Sequence, residues 1–193
     1  MLHRLLDRAL GGDAGPGSDE PLPERPLVEP VVSLPSPLRA PLGARIPGLL
    51  GSDQVFRKLL ESAKKSLKIF SPYVDNSFTG MAQDARVPIQ IVTSLRDNKQ
   101  KSCPVLERFS STKPLAVRYL REVQGKVQMY QLHAKMILAD DVMAYIGSAN
   151  FTDTSLHYNF ELGLVTEDRS VIARLHAIFD YVFGFAARPA GQA

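Results

Sequence analysis

The chain has 193 residues, 45% of them hydrophobic and 22% charged, enough for one domain with a sizeable core. A single cysteine, Cys103, excludes an intrachain disulfide and a multi-cysteine zinc site, so an idle thiol is expected. No apolar run approaches the roughly 20 residues of a membrane span. The first ten residues are too short and too charged for a signal peptide, so a cytoplasmic protein is expected. The net charge of +3 is uneven. Residues 1–50 carry five Lys/Arg against six Asp/Glu, and residues 51–193 eighteen against fourteen. The basic excess lies in the second part, as suits a polyanionic partner.

Residues 1–50 also hold nine of the fourteen prolines. Each proline removes a backbone donor and restricts the residue before it. The expectation is an extended, partly disordered arm over 11–50. Residues 1–10 could form a short helix with Leu2, Leu5, Leu6 and Ala9 on one face. The expected division is therefore an arm, 1–50, and a folded domain, 51–193.

From Ser52 the pattern turns α/β. A helix is predicted to about Lys65, facing inward with Val55, Leu59, Leu60 and Ala63. Strands are predicted at 67–71, 88–94, 115–120 and 126–132, with a helix at 104–111. A hairpin follows, with strands at 133–138 and 142–147 around Ala139-Asp140-Asp141. Another strand is expected at 159–166, then a closing helix from Arg169 to Phe185 with Val171, Ile172, Leu175, Ile178, Phe179 and Val182 inward. Strands alternating with helices predict a mixed, largely parallel sheet with helices on both faces.

One stretch carries chemistry. His133, Lys135 and Asp140 are followed after six residues by Gly147, Ser148 and Asn150, the pattern HxKxxxxD-x6-GSxN. Six fixed positions recur by chance in such a chain on the order of once in a million. His133 and Lys135 are two apart on a predicted strand and so share a face. Two buried polar groups make a poor core but a good anion site. Lys135 neutralises a phosphate oxygen and His133 supplies a nucleophilic or acidic nitrogen. The Gly147-Ser148 turn adds a hydroxyl and Asn150 an amide, suited to a phosphoryl group gaining charge in a transition state.

These residues resemble the HKD motif of the phospholipase D superfamily. The resemblance runs from SAKKSLKIFSPYVD to GSANFTDTSLHYNFELGLV and covers roughly residues 52–185. It implies a phospholipase D-like fold, a covalent phosphohistidine on His133, and phosphate held by Lys135 and Asn150. Glu161 matches the carboxylate that hydrogen-bonds the histidine's other ring nitrogen. Asp140 is assigned to structure, bracing the hairpin. The resemblance implies neither a cofactor nor a metal. Larger relatives carry two such motifs, but here His3, His157 and His176 form no second one. The chemistry needs one histidine as base and another as acid, so a two-fold homodimer bringing two copies of His133 together is expected.

The substrate is expected to be DNA or RNA. Between residues 96 and 126 lie eight basic and three acidic residues. Arg96, Lys99, Lys101, Lys113, Arg118 and Arg121 are candidates for a nucleic-acid track. Phe109 and Tyr130 are either stacking or core residues. The alternatives are a phospholipid hydrolase, or a nuclease or adaptor subunit docking through residues 1–50 into a larger nucleic-acid ATPase complex.

Overall fold

A computed structural model describes residues 27–95, 103–124 and 127–188. The helix expected over residues 1–10 lies outside them. Among the described residues an eight-stranded sheet is built from β1 (Val28–Ser33), β2 (Leu50–Gly51), β3 (Leu67–Phe70), β4 (Ile89–Thr93), β5 (Leu115–Tyr119), β8 (Lys135–Ala139), β9 (Met143–Gly147) and β10 (Glu161–Thr166). Its order is β2-β1-β10-β9-β8-β3-β4-β5, mixed in direction, with helices on both faces. A separate ribbon pairs β6 (Arg121–Gln124) with β7 (Val127–Gln131).

On one face α2 (Ser52–Ser62), α3 (Asn76–Ala82) and α4 (Pro104–Ser110) cover the larger core. Val55, Phe56, Leu59 and Leu60 recur at helical spacing, which gives α2 its buried stripe. On the other face α5 (Arg169–Phe185) covers Phe70, Val92, Met136, Leu138 and Ala144 through Ile172 and Phe179. Val171 and Ile178, expected inward, are exposed on the far side of α5. No helix among the described residues is long and apolar enough to cross a membrane.

The division at residue 50 needs correction. Residues 28–50, read as arm, supply β1, α1 (Ser36–Arg45) and the first residue of β2. Proline tolerance explains this. Leu27 accepts from the Glu167 N–H, so alternation along the antiparallel β1–β10 pair turns Glu29, Val31 and Ser33 toward β10. The nitrogen of Pro30 then points to the other flank, where β2 pairs only with Val31 and Val32. No ladder bond is lost there. In α1, Pro37 lies in the first turn, where its missing donor has no partner to lose, although Pro41 sits inside the helix.

Asp140, expected to brace the hairpin, ties the hairpin to the residues just ahead of β3. Its carboxylate accepts from the backbone N–H groups of Lys64, Lys65 and Ser66 at 2.8, 2.8 and 2.9 Å. Burial works to raise its pKa. The three donors and the Lys65 charge outweigh that and hold it below the usual carboxylate value. His176 adds a bond to the Asp140 carbonyl oxygen at 2.8 Å.

Tyr145 is fully buried, and burial pushes its phenol up to about 12. Its ring lies over Gly147 and Gly163, which pair across β9 and β10. A Cβ on Gly163 would stand 2.5 Å from the ring, and one on Gly147 would meet the hydroxyl. Gly163→Ala is therefore expected to destabilise by about 1–3 kcal/mol, read as a lowered melting temperature. An unchanged melt would remove the packing role of this glycine.

Candidate active site

The motif converges at one end of the sheet. β8 runs antiparallel to β3 and β9, so Lys135 lies opposite Gly147 and beside the carboxyl end of β3. Lys135 alternates with Met136 as expected: it shares the Ile137 face, and Met136 joins the α5 layer. His133 differs. It precedes β8 and is exposed. The Lys135 Nζ donates to the His133 carbonyl oxygen at 2.8 Å and lies 3.5 Å from both ring nitrogens. An ammonium equidistant from the two nitrogens leaves the imidazole without a strong bond of its own.

Lys135 is only 7% exposed. Burial lowers its pKa, and the Glu161 charge works in the opposite direction. A lysine that must be charged to hold phosphate loses that role as pH rises through a pKa below the usual lysine value. Glu161→Gln removes the opposing charge. The alkaline limb of any hydrolytic rate profile should therefore move to lower pH in that variant, and an unmoved limb would separate the two residues electrostatically.

The loop after β9 is fixed by the loop after β3. Phe151 N–H donates to Ser71 Oγ at 3.1 Å, and Asp75 N–H to the Phe151 carbonyl at 3.0 Å. Asp75 also accepts from the Asp153 N–H at 2.9 Å while capping α3 through Ser77. These bonds hold Asn150 in place. Its Oδ1 is buried and has no hydrogen-bond partner among the described groups. An orphan amide oxygen calls for a donor, while a phosphoryl oxygen would be held by the Nδ2 of the same amide. Beside it opens a cleft of about 540 Å³, also lined by Tyr73, Asp75, Thr152 and Asn159.

Ser148 and Glu161 form a second unit. The Ser148 hydroxyl donates to Glu161 Oε2 at 2.5 Å and accepts from the Leu162 N–H at 3.0 Å. Asn159 Nδ2 donates to Glu161 Oε1 at 3.1 Å. The hydroxyl expected to face phosphate thus holds the carboxylate. The expected bond between Glu161 and His133 is not formed within the chain, among the described groups. β9 separates their strands, and each strand step is about 4.8 Å. The Asn159 contact with Glu161 is one that spacing alone does not reveal. It follows a π-helical turn, Thr154–Tyr158, that brings the chain back to β10.

The sequence profile described as "Cardiolipin synthase, PLD-like domain" matches residues 56–183. The chain belongs to the phospholipase D superfamily. It is 30% identical over 137 residues to a cardiolipin synthase of Alkalihalophilus pseudofirmus, a match covering 68% of this chain and 26% of that protein. It thus spans about a quarter of the length of the curated relatives it matches. Among solved structures, NucT from Helicobacter pylori aligns with a TM-score of 0.63 at 17% identity, covering 83% of this chain and 99% of that one. Nuc from Salmonella typhimurium, described as a phospholipase D family member, aligns with a TM-score of 0.55 at 18% identity, covering 83% and 96%.

On this phospholipase D frame the basic run is scattered. Arg96, Lys99 and Lys101 lie outside the described residues. Lys113 bonds the Ala85 carbonyl at 3.4 Å, near the amino ends of β4 and β5, away from the site. Arg118 stacks over Phe183 at 4.8 Å, against α5. Among the described candidates, Arg121 stands near the site end, donating to the Leu95 carbonyl at 2.6 Å. Phe109 is core, and Tyr130 packs 5.9 Å from Phe185.

Proposed function

We propose that this chain is a metal-independent nuclease that cleaves DNA or RNA through a covalent phosphohistidine, in a site completed by a second copy. The carrying observation is the contact of His133 with the buried Lys135, opposite Gly147 and the loop that carries Asn150. A ring nitrogen of His133 attacks phosphorus and the ester P–O bond breaks. The departing oxygen takes a proton from the second copy's imidazole. That imidazole, now a base, draws a proton from water as the water attacks phosphorus, which frees His133 and releases the phosphate monoester. Lys135 and Asn150 hold the phosphoryl oxygens throughout.

A surface feature supports self-association. Ile178, Tyr181 and Phe185 are 54%, 78% and 62% exposed along α5, whose opposite side is already core. Ile146, Leu162 and Leu164 leave the neighbouring sheet face apolar as well. A helix that is apolar on both sides is normally covered.

Cleavage of labelled DNA and RNA in EDTA tests the reading, with phospholipid vesicles in parallel. A strict requirement for added magnesium would count against the histidine mechanism. The identity to cardiolipin synthases favours a second reading, a phospholipid substrate at the same centre. Turnover of vesicles with none of nucleic acid would select it.

A further inference from the structure

The turn that carries Ser148 and Asn150 rests on a tyrosine that the mechanism above does not use. Three backbone donors in and just after this turn are tied down, each to a different part of the fold. Ser148 N–H donates to the Leu162 carbonyl at 3.0 Å, and Phe151 N–H to Ser71 Oγ at 3.1 Å. Between them, Ala149 N–H donates to the phenol oxygen of Tyr145 at 3.3 Å. Ala149 is 2% exposed and Tyr145 is fully buried, so water does not replace that acceptor.

The place of the phenol is fixed from several sides. A Cβ on Gly147 would collide with its hydroxyl, so the oxygen lies against the start of the turn. Gly163, paired with Gly147, leaves room for the ring edge. Phe56 meets the Tyr145 ring edge-on at 4.7 Å and lies 4.7 Å from the ring of Phe151, the residue after Asn150. One aromatic group thus packs against the residue that leads into the turn and the residue that leaves it.

We propose that Tyr145 is a positioning residue for the site. Its hydroxyl holds the middle of the Gly147–Asn150 turn, and so places the Ser148–Glu161 pair on one side of Ala149 and the Asn150 amide on the other. Its effect on turnover rests on the phosphodiesterase reading, whereas the contact itself does not.

The test uses the full chain with bis(p-nitrophenyl) phosphate in EDTA, comparing wild type with Tyr145→Phe. Phenylalanine keeps the ring and removes only the oxygen. The Ala149 N–H is then buried without an acceptor, and the turn shifts to relieve it. The kcat should fall roughly ten- to a hundred-fold, as when a reacting group is misplaced by up to about 1 Å. The KM should change by less than about two-fold, because Lys135 still holds phosphate in the ground state. Unchanged kcat in Tyr145→Phe would overturn the proposal, and so would a loss carried wholly by KM.

A second readout needs no turnover. In protein labelled with ¹⁵N-alanine, the Ala149 amide is assigned by its loss in Ala149→Gly. It should exchange slowly with solvent in wild type and roughly ten-fold faster in Tyr145→Phe. An amide that exchanges in wild type as fast as an exposed one, or equally slowly in both proteins, overturns the contact whatever the probe shows. If wild type leaves the probe intact while the amide responds as described, the phosphodiesterase reading fails and the contact stands.

Discussion

Replacing His133 with alanine is expected to lower phosphodiester turnover by a thousand-fold or more while leaving the fold intact. Loss of a covalent nucleophile costs roughly this much in comparable sites. The fold should survive because His133 is exposed and precedes β8. The bond that anchors Lys135 goes to the carbonyl oxygen of residue 133, a backbone group that alanine retains. Melting temperature and secondary structure should match wild type, and substrate should still bind through Lys135 and Asn150. Near-normal cleavage by His133→Ala would place the nucleophile elsewhere.

Deleting residues 1–50 is expected to abolish cooperative folding, whereas deleting 1–26 should leave a melt within a few degrees of wild type. The longer deletion strips β1 from the whole length of β10. It also removes buried Val31, Val32, Leu34 and Leu50. Each such side chain contributes about 1.5–3 kcal/mol, so together they approach the roughly 5–15 kcal/mol that holds a typical domain together. Circular dichroism melts of the two truncations decide the matter. A cooperative melt at the wild-type temperature for the 1–50 deletion would mean that β1 is dispensable. Any test of recruitment through the N-terminal region must therefore stop at residue 26.

The candidate site residues were legible as a group because their spacing is rigid. Lys135 at the start of β8 and the turn after β9 are neighbours by strand pairing, whereas the place of His133 just ahead of β8 departs from the shared strand face expected. The elements from 52 onward were legible for a similar reason: short β-branched runs such as IQIVT and the helical stripe of α2 give clear periods. What stayed hidden depends on contacts distant in sequence. β1 was masked by prolines, whose cost depends on which flank faces a partner, and only the register with β10 reveals that. Gly163 and Tyr145 share a slot formed by two strands. Ser148 reads as a phosphate donor until its hydroxyl is seen on Glu161. Val171 and Ile178 fit the inward stripe of α5 by period, yet they face away from the core.

Covalent trapping tests the central claim most directly. Wild-type protein is mixed with a phosphodiester substrate labelled in the phosphoryl group that is to be transferred, quenched rapidly in alkali, digested and mapped by mass spectrometry. The account predicts label on the imidazole of His133, stable to alkali and lost in acid. Label on Ser148, the hydroxyl already paired with Glu161, would contradict it, as would turnover with no protein-bound label under conditions that trap the intermediate.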